Sequence, residues 1–200
     1  MTAKAPVALF TTAAALLLAG CASPYTSPVE VTRFTGQAPA RLGMGTLAVR
    51  AAPGMPAPSL EGAIYEQAVA SELGRAGYQI STGGPAAQVA EVRIERQQRA
   101  PGERRGPVSV GVGGSTGSYG SGLGVGIGLD LTPPPKPVID STLAVTIRDN
   151  GTGQVLWEGR ALFAASTDSP YAEQKAAATR LAAALFGGFP GASGQTITVK

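Results

Sequence analysis

Residues 138–165 read VIDSTLAVTIRDNGTGQVLWEGRALFAA. In the first arm Leu143, Val145 and Ile147 alternate with Thr142, Thr146 and Arg148. Successive side chains of a strand point to opposite faces, so this arm reads as a strand with one buried face. DNGTG follows at 149–153, and then a second β-rich run from Gln154. Asn-Gly between two such runs is the strongest short hairpin signal. Trp157, the chain's one tryptophan, is expected in or beside the core.

The same alternation recurs upstream. VEVTRF (29–34), GTLAVR (45–50), YQIS (78–81) and AQVAEVRIER (87–96) all read as strands. In the last, Ala90, Val92 and Ile94 share one face. Glu91, Arg93 and Glu95 share the other, which reads as a solvated, ion-paired surface. A helix is expected from Leu60, capped by Ser59 and ended by Gly77. Its stripe is Ile64, Ala68 and Ser71, with Tyr65, Val69 and Leu73 beside it. A second helix is expected from Ser169-Pro170 through YAEQKAAATRLAAALF to Gly187-Gly188, with Ala178, Leu181 and Leu185 inward. The closing segment FPGASGQTITVK can add a short strand. The expected fold is α+β, a mostly antiparallel sheet with two helices packed on it, plus a Gly/Val-rich β-ribbon insert.

That insert spans 106–131, where 10 of the 23 residues from Gly106 to Gly128 are glycine. Val108, Val110 and Val112 alternate with small residues in one arm. Leu123, Val125, Ile127 and Leu129 alternate with glycine in the other. The period of two gives a ribbon with one aliphatic and one bare face. The bare face lets a partner strand, a lipid or a second copy approach closely. The alternative is a hairpin covering its own sheet. Neither G-x-G-x-x-G nor a Walker-type loop occurs, so the glycines do not read as a phosphate cradle.

The N-terminus sets the expected compartment. Lys4 precedes the apolar run Val7–Ala19, only 13 residues long, where a spanning helix needs roughly 20. That is a signal peptide's build. Leu18-Ala19-Gly20-Cys21 resembles the lipobox of bacterial lipoproteins, which implies cleavage before Cys21 and acylation of its thiol and new amine. Residues 1–20 are then a cleaved signal, 21–28 a tether and 29–200 a single lipoprotein domain. Ala22 in place of Asp implies, by the same resemblance, the outer membrane and its periplasmic face. Cleavage takes the net charge from +3 to +2 by removing Lys4, too little to argue for nucleic acid.

The search for chemistry returns little. Without histidine, His-based nucleophilic and metal sites are excluded, and no cofactor is expected. A glycosidase-type pair needs two facing carboxylates, and spacing alone does not pair Asp140 with Glu158. Arg96, Arg99, Arg104 and Arg105 form a basic cluster before the ribbon, a candidate site for anions such as a lipid head group, against the alternative of a solvated loop. No aromatics interleave with it, as single-stranded nucleic acid would need.

ELGRAGYQI (72–80), DNGTGQVLWEGRA (149–161) and ATRLAAALFGGFPGASGQTITVK (178–200), with the lipobox and the ribbon, resemble the bacterial lipoproteins grouped as domain of unknown function 4136. G-x-x-LWEGRA and LF…FPG-x-SG-x-T-I are the more specific parts. The resemblance implies an envelope lipoprotein with a small α+β domain and carries no catalytic residues. The expected function is non-catalytic. The chain would bind a protein or envelope component at the outer membrane, through the ribbon or by self-association. The alternatives are an accessory subunit of a lipid or glycan export or envelope-assembly machine, and a carboxylate-based glycan hydrolase.

Overall fold

The computed structural model describes residues 23–55, 59–101, 108–117, 120–129 and 136–200, the two ribbon strands as backbone. Cys21, Arg104 and Arg105 lie outside these residues. Nine strands occur among the described residues: β1 (Val29–Thr35), β2 (Thr46–Ala51), β3 (Gln79–Ser81), β4 (Gln88–Arg99), β5 (Val108–Gly117), β6 (Gly120–Leu129), β7 (Val138–Asp149), β8 (Val155–Ser166) and β9 (Thr196–Val199). The helices are α1 (Leu60–Arg75) and α2 (Gln174–Phe186).

Seven strands form one sheet, in the order β3-β2-β4-β7-β8-β1-β9. The sheet is mixed. β2 runs parallel to both β3 and β4, while the other four pairings are antiparallel. The antiparallel expectation therefore holds for β4 through β9 and fails at the β2 end. There α1 is the crossover that parallel neighbours require. Among the described residues β5 and β6 pair only with each other, antiparallel, as the ribbon's alternation implies.

Both helices pack on one face. Leu47, Ala90, Val92, Leu143, Val145, Ile147, Trp157, Ala161, Phe163, Val29 and Val31 are buried beneath them. In α1 it is Tyr65, Val69 and Leu73 that are buried, while Ile64 and Ala68 are only partly covered, so the inward stripe is rotated by one position from the expected one. Ser59 Oγ accepts from Gly62 N at 3.0 Å, the expected cap. α2 starts later than the sequence suggests. Ser169-Pro170 opens a single 3-10 turn (Pro170–Ala172), and the helix cap is Glu173, whose carboxylate accepts from Lys175 N and Ala176 N. Ala177, Ala178, Ala182 and Ala184 are all buried, and their small size lets α2 lie close to the sheet.

The β7–β8 hairpin forms, but not through a two-residue Asn-Gly turn. The loop runs over 150–154, and Asn150 has no positive φ, which a type I′ turn demands. Asp149 Oδ1 organises the loop instead. It accepts from Gly151 N at 3.1 Å, Thr152 N at 2.8 Å and Thr152 Oγ1 at 2.9 Å. Those bonds, led by the Thr152 N–H, hold its carboxyl below the usual range, and Arg41 pairs with it.

Candidate functional site

The motifs most specific to the family resemblance meet at one corner of the core. Trp157 is fully buried, stacks on Phe186 at 5.4 Å, and donates from Nε1 to Pro190 O at 3.0 Å. A Cβ on Gly159 would come within 2.9 Å of Leu185 and closer still to Trp157, so the WEG glycine makes room for the indole. Arg33, 5% exposed, crosses beneath the end of α2. Its Nε donates to Leu185 O, and its Nη2 to Ala184 O and Gly187 O, each at 2.9 Å. Gly191 has φ +78°, and a side chain there would strike the Arg33 guanidinium. Gly194 N donates to Arg33 O, and Thr35 N to Ser193 Oγ. The WEG and FPG-x-SG segments are thus an architectural lock that ties β1, β8 and α2 together. The alternation Val29-Val31-Arg33 was the available signal, since it places an arginine on a buried face.

Of the basic cluster, the two described residues do not share a face. Arg96 and Arg99 are an odd number of residues apart in β4 and so lie on opposite faces. Arg96 is on the helix face. Its Nη2 donates to Ala172 O at 2.7 Å, and its Nη1 lies 3.5 Å from Glu61, beside a cleft of about 600 Å³ that Glu173 and Gln174 also line. Tyr65 nearby is fully buried, with its hydroxyl unpartnered and its pKa pushed up to about 12, mainly by burial. Arg99 is on the open face, 3.1 Å from Asp140. The Glu91–Arg93 pairing is also replaced. Glu91 is buried and accepts from Arg50 at 2.8 Å and Arg148 at 3.1 Å, while Arg93 donates to Pro53 O. Burial works to raise the Glu91 pKa, but the two arginine hydrogen bonds outweigh it, and the net shift is downward. Asp140 and Glu158 do not face each other. Glu158 sits opposite Thr146, six residues along β7 from Asp140, which is about 20 Å.

What the fold does bring together lies along one edge of the sheet. Arg99 is paired with Val138 and Val138 with Ser166. Ser166 N donates to Tyr25 O at 2.9 Å, and Thr26 bridges Ala165. Thr26 Oγ1 also meets Ser169 Oγ at 2.8 Å. The chain is therefore docked from Tyr25 onward rather than from Val29. The end of β4, the start of β7 and the segment leading back to Cys21 leave this edge within three strand spacings, about 14 Å. Everything between β4 and β7, ribbon included, is an insert there. Lys136, at its exit, pairs with Asp168 at 2.6 Å. Among the described residues no group of His, Cys, Asp and Glu could hold a metal ion, and no helix is long and apolar enough to cross a membrane.

A family model described as a domain of unknown function (DUF4136) matches residues 48–191. The chain belongs to that family. The match spans α1, the ribbon, the β7–β8 hairpin and the FPG corner. An uncharacterised protein of Zymomonas mobilis is 39% identical over 62 residues, a segment covering 31% of this chain and 23% of that protein. A PDZ-domain protein of Parabacteroides distasonis resembles this structure over 88% of the chain and 38% of its own, at 10% identity and TM-score 0.47. The PelC dodecamer of Paraburkholderia phytofirmans resembles it over 78% of this chain and 94% of its own, at 20% identity and TM-score 0.43. Neither likeness is strong enough to transfer a property to this member of DUF4136.

Proposed function

We propose that this DUF4136 member is a non-catalytic lipoprotein of the outer membrane. It is acylated at Cys21, faces the periplasm and binds an envelope component. The observation that carries the reading is the shared edge. The segment after Cys21 is pinned to β8 from Tyr25, only four residues on, so an acylated Cys21 stands at most about 14 Å from the domain. A domain held that closely presents one defined edge to the bilayer, and the ribbon leaves from that edge. Several acyl chains make such an anchor stable where one does not. The accessory-subunit reading shares this geometry and differs in its partner. Photo-crosslinking from Tyr119 in cells, with sequencing of the adduct, separates the two.

The test of the anchor is metabolic labelling with an alkyne-tagged palmitate, read with intact mass and membrane fractionation. Wild type takes up label, loses residues 1–20 and fractionates with the outer membrane. Cys21→Ser takes up none and keeps its leader. An unlabelled, full-length wild type overturns the proposal.

A further inference from the structure

The ribbon's geometry is that of a membrane-crossing hairpin. β5 and β6 are 10 residues each, where a strand tilted across a bilayer needs about 9–11. The aliphatic alternation fills Val108–Gly114 and Leu123–Leu129, and the fifth rung on that face, Thr116 opposite Ser121, is polar and lies at the tip. The register places Val108 opposite Leu129, Val110 opposite Ile127 and Val112 opposite Val125, with Gly114 opposite Leu123. Four successive rungs on one face thus carry only aliphatic residues and one glycine. The rungs between them pair Ser109 with Gly128, Gly111 with Gly126 and Gly113 with Gly124. Neither strand contains a charged residue. Alternation of apolar and small or polar positions over about ten residues is the signature of outer-membrane barrel strands. Glu103, Arg104 and Arg105 precede the hairpin and Asp130 and Lys136 follow it, so charged residues of both signs bound its uncharged strands at the root. The root leaves the sheet at the edge that carries the Cys21 segment.

One hairpin cannot cross hydrocarbon alone, because both its outer edges present unpaired backbone groups. Among the described residues β5 and β6 pair only with each other, and no described strand covers their outer edges. The geometry points to a ring of copies of this chain. Each copy inserts its ribbon into the bilayer, β5 of one pairs with β6 of the next, the aliphatic rungs face lipid and the glycine–serine rungs face an interior lumen. This deepens the envelope-binding reading by naming the occupants of the ribbon as the lipid bilayer and a second copy. It does not require Cys21 to be acylated.

The test uses full-length protein in outer-membrane vesicles, with single cysteines at Ser109, Val110, Gly111, Val112, Gly124, Val125, Gly126 and Ile127. Each is labelled with bimane and exposed to a nitroxide quencher carried on lipid acyl chains. The expected result alternates. Val110→Cys, Val112→Cys, Val125→Cys and Ile127→Cys are quenched by the lipid-borne nitroxide and lose reactivity to water-soluble maleimide. Ser109→Cys, Gly111→Cys, Gly124→Cys and Gly126→Cys show the reverse. Val125→Arg abolishes quenching at Val110→Cys, whereas Gly126→Arg leaves it intact. Uniform reactivity to the aqueous reagent on both faces overturns the inference, as does a lack of disulfide-linked dimers when chains carrying Val110→Cys and chains carrying Ile127→Cys are co-expressed and oxidised in the vesicles. Co-flotation with the vesicles is scored separately. A protein that floats without alternation refutes the ribbon's role and leaves the anchor standing, whereas alternation in Cys21→Ser upholds the ribbon without it.

Discussion

Replacing Arg33 by methionine removes the cation that closes the C-terminal end of α2. The last carbonyls of a helix have no partner within it. Here Leu185 O, Ala184 O and Gly187 O all receive their donor from Arg33. Hydrogen bonds to a charged group are worth about 1.5–3 kcal/mol each. Their sum overstates the effect, because methionine also relieves the cost of a buried guanidinium, which already lowers the Arg33 pKa. Gly187 O, being only part-buried, recovers water. That leaves two buried carbonyls unsatisfied, a net loss of about 3 kcal/mol. For a domain of this size that is a fall in Tm of about 6–12 °C. Arg33→Lys keeps the charge and loses the planar fork, so its Tm falls between the two. Thermal melts followed by circular dichroism at 222 nm decide the matter. An Arg33→Met protein that melts with wild type would show that the three bonds contribute nothing net.

Gly159→Ala forces a methyl group against Trp157 and Leu185 and should cost about 2 kcal/mol, seen as a lower urea midpoint at unchanged slope. An unchanged midpoint would mean the corner has slack. The depressed Glu91 pKa gives stability that is present above the ordinary carboxylate value of 4.5 and lost as pH falls through the folded-state value. The stability gap between wild type and Glu91→Gln should therefore be widest at neutral pH and shrink below that value. A gap that does not change with pH contradicts the two-arginine clamp. Excising residues 103–134 and joining the ends with a short glycine turn should leave Tm unchanged, because among the described residues the ribbon strands pair only with each other. A large fall in Tm would place the ribbon on the sheet.

The β7–β8 hairpin, Ser59 and the ribbon were legible because each is encoded by neighbours in sequence, through alternation, a cap and a period of two. The parallel pairing of β2 with β4 was not, since it is set across α1 and β3 by packing rather than by any local pattern. Glu91 read as a surface residue because its partners, Arg50 and Arg148, come from two other strands. The separation of Arg96 from Arg99 was missed for a simpler reason. Proximity in a strand does not mean a shared face, and Arg96 and Arg99 diverge by one pleat. The shared edge needed three registers at once, and no window of sequence holds all of them.

The β4–β7 ladder runs unbroken from Gln88–Asp149 to Arg99–Val138, with β2 on its far side and β8 on its near one. A pull on the ribbon is delivered along the axes of both central strands. Ladder hydrogen bonds lie across that direction, so they are loaded together in shear rather than opened one after another. The segment at Tyr25–Pro28 is held by a bridge and a few bonds at its end, and it peels. Side by side on one edge, the domain carries a stiff handle and a compliant leash, and a force arriving through the ribbon reaches the core before it reaches the anchor.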